Sequence, residues 1–485
     1  MQGVLTPEGR WSLVAERRTS HPFNPETPST CVICHLPDKK APVAVFNLPR
    51  ALFLCALSPG AGSDSRLVEV RGTGPGPATA SPTCVAFTPE AQDGLDLLVG
   101  MASGEVLLLS LAGCLTQPNG GKPAPAAIYN EAGVDTPARA VSVQWIPGTN
   151  GGSFIATHAD GAFHAYHRVG YLVLVPRDGA QGCGFHRGCT IPQASTARSV
   201  TPCTSLSVCP ASCLHCSPCP TRCPAPLSHP PQILGQSSDK WLLHRTNSEV
   251  EPLKMVPHRT MSALSRGCSV IAAMSPAGDA VALAGRDGRL AIHAYPTGAC
   301  IGGFKSYYGG LTCVAWSADG NLVAAGGEDD LITVYSLVSK AVAAVCQGHS
   351  SWITGVAFDP WTASGTPPPS PEATPPSSPR LQRASASYRL ASVGQDCQLL
   401  LWEVSAPAVR AATRTHSVRS WRGVKSLDPG SFAALRRGDM PLVGPLVQQR
   451  MTADPLSSVT VSEQDVLLSS YGGGILRLCR AGRTQ

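Results

Sequence analysis

Gly348-His-Ser-Ser-Trp-Ile-Thr-Gly-Val-Ala-Phe358, followed after an interruption by Leu390-Ala-Ser-Val-Gly-Gln-Asp396 and Leu399-Leu-Leu-Trp402, is the stretch that decides the architecture. Its apolar runs are short, rich in β-branched and aromatic residues, and bounded by Gly, Ser and Asp, which is how half-buried strands of an all-β protein read. The same order recurs upstream in Leu311–Trp316, Leu322–Asp329 and Leu331–Tyr335, where Asp329 precedes Tyr335 by the same interval that separates Asp396 from Trp402. Three more copies run over Ile271–His293, Val141–Tyr166 and Cys84–Leu109, the last with Ser103 where the turn Asp would stand. Partial copies lie at Val43–Cys55 and Val459–Leu478. The period is about 40 residues wherever nothing interrupts it, which fits four strands per radial unit. A ring of such units commonly closes by pairing strands from both termini in one unit, removing a free sheet edge. The expectation is an all-β, seven-bladed β-propeller over residues 41–480, with residues 1–40 as a disordered tail.

Four polar residues stand at fixed places in the opening stretch. His349 enters from the loop before the blade, Asp396 sits in a tight turn, and Ser392 and Trp402 flank that turn. The arrangement resembles a WD-repeat blade, and the resemblance implies a buried structural tetrad: indole N–H to hydroxyl to imidazole to carboxylate. A buried chain of this kind persists only if every member is satisfied, since an orphaned group costs about 1–3 kcal/mol. Ser, His and Asp also invite a nucleophilic reading, but that chemistry needs an exposed, activated hydroxyl, and no Gly-x-Ser-x-Gly elbow occurs in the chain. The expectation is therefore no catalytic residue and no enzyme.

Composition limits the partners. Charged residues are 14% of the chain and the net charge of +6 is spread without a Lys/Arg block or interleaved aromatic stripe, so no nucleic-acid surface is expected. No apolar stretch reaches the length of a membrane span, and Met1-Gln-Gly-Val-Leu-Thr-Pro7 lacks a basic region followed by an apolar core. The expected location is cytoplasmic, with the nucleus as a second compartment. Scattered cysteines such as Cys84, Cys313 and Cys397 then read as small core residues.

Eight of the 19 cysteines fall between Cys183 and Cys223. Cys213-Leu-His-Cys-Ser-Pro-Cys-Pro-Thr-Arg-Cys-Pro224 has the spacing of a bacterial iron–sulfur site. Its surroundings, residues 178–260, are rich in Pro, Ser and Thr with no apolar strands to enclose a cluster, so a low-complexity insertion is favoured over a zinc site using His215 or an iron–sulfur site, and no metal or cofactor is expected. Cys31-Val-Ile-Cys34-His35 resembles half a zinc site without a matching second pair. A Pro/Ser-rich insertion over residues 361–388 contains Ser370 and Ser378, each before Pro, as candidates for proline-directed phosphorylation beside Arg380 and Arg383. Residues 405–440 read as a linker.

Phe304–Gly320, Gly326–Val334, Gly348–Ile353, Val356–Pro360, Ser392–Trp402 and Pro441-Leu-Val-Gly-Pro-Leu446 together resemble the WD-repeat family of the dystrophia myotonica WD-repeat protein and the fungal catabolite-repression protein creC. The resemblance covers residues 83–170 and 268–480. It implies a non-enzymatic scaffold that binds and activates a ubiquitin-specific protease, in fungi within carbon catabolite repression, with a second WD-repeat activator as a further partner. Tyr307, Tyr308 and Trp352 lie in loops leading into adjacent blades and are the expected anchors, because rigid exposed aromatics bury large apolar area at little entropic cost. The alternative for each is packing between blades. Glu328 and Asp330 are the acids expected to meet a basic partner, while Asp329 fits the turn carboxylate of its own blade. A ubiquitin-ligase substrate receptor is the competing function, but the Trp-Asp-x-Arg end used by many such receptors is Trp402-Glu-Val-Ser405 here. A general protein-interaction scaffold is the broader alternative.

Overall fold

The computed structural model describes, apart from a few positions within these spans, residues 3–18, 30–36, 42–57, 65–168, 270–360, 387–404, 425–436 and 441–480, and the backbone of Trp241–His244 and Lys254–Pro257. Strands dominate, and they form seven blades of antiparallel sheet. Blade 1 is Cys31–Cys34, Val43–Leu48, Ala51–Ala56 and Ser65–Val68; blade 2 is Pro82–Phe87, Leu97–Met101, Val106–Leu109 and Ala127–Tyr129. Blade 3 has Ala140–Trp145, Ser153–His158 and Phe163–His167, with the hairpin of Trp241–His244 and Lys254–Pro257 beside its outer strand. Blade 4 is Val270–Met274, Ala280–Gly285, Arg289–Ala294 and Cys300–Lys305, and blade 5 is Leu311–Trp316, Leu322–Gly327, Leu331–Ser336 and Ala341–Gln347. Blade 6 takes Ile353–Phe358, Tyr388–Gly394, Gln398–Val404 and, after a long excursion, Val447–Arg450. Blade 7 joins Leu456–Val461, Asp465–Ser470 and Gly474–Cys479 to the N-terminal strands Gly9–Arg18 and Val4–Thr6.

The ring follows from where the apolar side chains go. Alternate residues of each strand face opposite sides of a blade, so a strand that is apolar on both faces can bury both only between two neighbours. Each seam between adjacent blades holds its own hydrophobic cluster, including the seam of blades 7 and 1, where Cys31, Phe46 and Phe53 pack with Leu467 and Ile475. Thr83, Thr312 and Thr354 add a polar fastening. Each stands at a register slip near the start of its inner strand, where the extra residue turns its hydroxyl out of the ladder. Thr83 Oγ1 donates to Ala140 O at 2.8 Å and Thr354 Oγ1 to Leu456 O at 2.7 Å, each across a seam, and Thr312 Oγ1 donates to Ile353 O in the same way. Blade 4 carries Ile271 at this place and no slip; Trp316 of blade 5 closes that seam instead, its indole N–H donating to Ala273 O at 2.8 Å.

Two expectations are corrected. Residues 1–40 are not a tail: Gly9–Arg18 is the fourth strand of blade 7, paired with Gly474–Cys479, and Cys31–Cys34 is the inner strand of blade 1. Ring closure thus uses both termini, but through residues 9–18 rather than through Val43–Cys55, which belongs to a complete blade of its own. The N-terminal strand is hard to recognise because a bulge between Leu13 and Ala15 breaks its alternation and its outer face is charged. The second correction concerns residues 405–440. Their described part runs along the outer edge of blade 4, where Leu427 N–H donates to Cys300 O at 2.9 Å and Ser426 Oγ accepts from Cys300 N–H at 3.1 Å. The chain then lays Leu442–Val443 parallel to Ala341–Gln347 of blade 5 before supplying the edge strand of blade 6. An edge is covered at each stop, which removes an open row of backbone donors and acceptors.

Candidate functional site

Blade 6 assembles His349, Ser392, Asp396 and Trp402 into one hydrogen-bonded chain. Trp402 Nε1–H donates to Ser392 Oγ at 2.8 Å, Ser392 Oγ lies 2.8 Å from His349 Nε2, and His349 Nδ1 lies 2.9 Å from Asp396 Oδ2. Trp402 and Ser392 are fully buried, so the hydroxyl is closed to any substrate. Gly348 is required before the histidine, since a Cβ there would press on Trp402, Leu400 and Pro445 at about 3 Å. Burial alone would raise the pKa of Asp396, but the hydrogen bond and charge of His349, with the backbone N–H groups of Ser350 and Gln398, outweigh it and hold the carboxyl below the usual range.

Blade 5 has the carboxylate without the imidazole. Asp329 instead receives the backbone N–H of Leu331 at 3.2 Å and faces the main chain of Tyr307 and Tyr308, whose amides lower its carboxyl, but burial outweighs them and pushes it up to about 6. One residue earlier, Glu328 Oε2 accepts from Gly310 N–H at 3.0 Å and Oε1 meets Arg286 Nη1 at 2.5 Å. Gly309 permits this approach, with φ of +64° and a Cβ position only 2.8 Å from that of Glu328. Glu328 therefore holds the loop 306–310 by its main chain, Ser306 is buried with its hydroxyl donating to Gly309 O at 2.9 Å, and the side chains of Tyr307 and Tyr308 are left outward. Tyr307 is 47% exposed and Tyr308 73%. On the neighbouring blade Trp352 is 44% exposed, its carbonyl fixed by Gln395 N–H at 2.9 Å. All three aromatics lie at the end of the ring that carries His349 and the turns of Asp329 and Asp396, none of them packed away between blades.

Glu328 is not available to a basic partner, contrary to expectation; its carboxylate is committed to Arg286 and Gly310. Asp330 is placed differently. It holds a left-handed φ of 60°, feels the charges of His349 and Asp396 across the seam, and its Oδ1 is buried with no hydrogen-bond partner. Burial, opposed by His349 and reinforced by Asp396, raises its carboxyl above the ordinary range.

A further carboxylate escaped the sequence. In blade 2 the residue at the expected turn position, Ser103, donates at 2.9 Å to Glu105, which is fully buried and also receives Thr73 N–H at 3.1 Å, Thr73 Oγ1–H at 2.5 Å and Ala132 N–H at 3.0 Å. Burial would raise the Glu105 carboxyl, but these four donors hold it below the usual range. The signal was an acidic residue two places past the expected one, next to a loop with Thr73 in place of His.

The apparent half zinc site is divided by the fold. Three residues apart on a strand, Cys31 and Cys34 face opposite sides: Cys31 packs into the seam of blades 7 and 1, Cys34 into that of blades 1 and 2. Burial pushes both thiols far above their ordinary range. Among the described residues no group of three or more His, Cys, Asp or Glu could hold a metal ion. Cys183–Cys223, Ser370 and Ser378 lie outside the described residues.

Residues 298–336 match the family WD domain, G-beta repeat. The UBP9-binding protein bun62 of Schizosaccharomyces pombe is 30% identical over 227 residues, which are 41% of this chain and 38% of that protein. The chain thus spans well under half the length of the curated relative it matches. Among solved structures, a chain of the Crystal Structure of Mitotic Checkpoint Complex superposes with a TM-score of 0.52 at 10% identity, covering 97% of this chain and 94% of that one. The WD40 beta propeller domain of Doa1 gives a TM-score of 0.47 at 11% identity over 97% of this chain and 98% of its own. With a G-beta repeat in the sequence, a closed ring of seven blades and the hydrogen-bonded tetrad in blade 6, the chain is a WD-repeat β-propeller.

Proposed function

We propose that this propeller is a non-enzymatic scaffold that binds a ubiquitin-specific protease and raises its activity. The observation that carries the partner class is the similarity to a protein named for binding UBP9. The resemblance to the family of the dystrophia myotonica WD-repeat protein and creC points the same way. The physical support is Tyr307, Tyr308 and Trp352, exposed at one end of the ring on turns of neighbouring blades that are held by main-chain hydrogen bonds. Large aromatic area presented without loop entropy is the usual anchor of a protein interface, where truncation of one such residue costs about 2 kcal/mol or more.

The test is affinity purification from native cells of the wild-type chain and of the Tyr308→Ala, Trp352→Ala double variant, with folding of both checked by thermal unfolding. Recovery of a ubiquitin-specific protease with the wild type and its loss with the variant support the reading, as does a higher turnover of the recovered protease in the presence of the propeller. Recovery of no deubiquitinase with the wild type removes it and leaves an interaction scaffold with another partner.

A further inference from the structure

We infer that the seam between blades 5 and 6, at Asp330, receives a cationic side chain of the protein partner, an arginine or lysine flanked by apolar residues that cover Tyr308 and Trp352. The inference rests on the protease-binding reading above and adds to it the chemistry of the group the partner must present.

Of the four acids at the turns of blades 5 and 6, Asp330 alone has a buried carboxylate oxygen without a hydrogen-bond partner among the described residues. Asp329 is filled by main-chain donors, Glu328 by Arg286 and Gly310, and Asp396 by His349, Ser350 and Gln398. Asp330 has none of these: one oxygen is buried without a donor, and the second carboxylate of the seam, Asp396, repels it. A buried acceptor left unmet costs stability, and a like charge nearby adds to that cost. His349 offers some compensation but is already hydrogen-bonded on both ring nitrogens, to Asp396 and Ser392.

Its conformation argues that the placement is fixed. With φ of 60° Asp330 occupies the left-handed region, which Asn and Asp tolerate and bulky residues do not. The turn that imposes this is pinned on one side by Asp329 and on the other by the ladder of Leu322–Gly327 with Leu331–Ser336. Arg286 is taken up by Glu328 on the side of blade 4. The carboxylate is therefore a fixed negative point at the end of the ring that also displays Tyr308 and Trp352. A guanidinium or ammonium there gains a charged acceptor together with aromatic faces, and its aliphatic stem covers apolar area.

The test measures the affinity of the full chain for the purified catalytic domain of a ubiquitin-specific protease, at low and at physiological salt. The variants are Asp330→Asn, which suits the left-handed turn, Tyr308→Ala, and Glu69→Gln, which removes one charge at an exposed acid paired only with Lys122. The expected result is about tenfold weaker binding for Asp330→Asn, with a flatter salt dependence, since a charge pair at an interface governs both. Glu69→Gln should match the wild type. Binding by the wild type that is equally strong and equally salt-dependent in Asp330→Asn overturns this inference and leaves the protease reading intact. Absence of binding by the wild type overturns both. An unfolding midpoint of Asp330→Asn equal to that of the wild type separates lost recognition from lost structure.

Discussion

Blades 5 and 6 are neighbours built on the same plan, yet they use their turn carboxylates differently. In blade 6 Asp396 holds a histidine, the histidine holds a buried serine, and the serine holds the tryptophan of the next strand. The loop before the blade is thereby tied to the core through a side chain. In blade 5 no histidine enters; Glu328 takes the loop's main chain at Gly310 N–H, and Asp329 faces the amides of Tyr307 and Tyr308. A loop tied through a side chain loses that side chain to the interior, whereas a loop tied through its backbone keeps both side chains for the surface. Blade 2 is an intermediate case, with Thr73 giving both its hydroxyl and its N–H to Glu105. One structural position thus either stabilises the sheet or displays the loop, and the choice depends on whether an imidazole is available.

The comparison breaks most visibly if blade 6 loses its buried anchor. Trp402→Ala should destabilise the fold by about 3–5 kcal/mol in denaturant unfolding, because it opens a cavity in the seam of blades 5 and 6 and removes the indole hydrogen bond to Ser392. The two turn carboxylates should then respond to pH with opposite signs. Asp396 is held below the usual range in the fold, so its stabilisation is present above the ordinary carboxylate pKa and fades as pH falls through the folded value. Asp396→Asn should accordingly cost about 1–3 kcal/mol at neutral pH and progressively less in acid. Asp329 is pushed up to about 6, so ionisation costs the fold stability as pH rises from the ordinary value of 3.8 through that point, by up to about 3 kcal/mol. Asp329→Asn should therefore gain on the wild type between about pH 4 and about pH 7, as urea midpoints at both ends would show.

Smaller effects sharpen the picture. Glu105→Gln replaces an acceptor that takes four hydrogen bonds by an amide that can accept at only one end, and should cost about 1–2 kcal/mol at neutral pH by thermal unfolding. Thr312→Val and Thr354→Val each remove one fastening across a seam and should cost about 1 kcal/mol in chemical denaturation. The seams of blades 5 with 6 and 6 with 7 are adjacent, so the double variant reports by its departure from additivity whether the ring transmits strain between them.

Much of this was legible in the chain. The Gly348-His349, Asp396 and Trp402 spacing located the tetrad because its four side chains must meet around one turn, and the repeated apolar runs gave the blades. The closing strand Gly9–Arg18 was not legible, since a bulge and an exposed charged face erase the alternation on which strand recognition depends. Cys31 and Cys34 suggested a metal because spacing alone does not show that a strand turns them to opposite faces. Val447–Arg450, with Gln448, Gln449 and Arg450 at an outer edge, lacks the apolar signature of the strands inside it. In the candidate site, the exposure of Tyr307, Tyr308 and Trp352 follows from loops whose positions are legible between the apolar runs, but the engagement of Glu328 depends on Arg286 from another blade, a pairing across 42 positions that no local pattern contains.

The division of labour between the two turns is tested most directly by amide hydrogen exchange in Asp329→Ala and Asp396→Ala. Asp329→Ala should strip protection from the amides of Tyr307 and Tyr308 while leaving that of Ser350, and Asp396→Ala should expose Ser350 while leaving the tyrosines protected. Tyrosine amides that stay protected in Asp329→Ala, or that are lost equally in both variants, would contradict it.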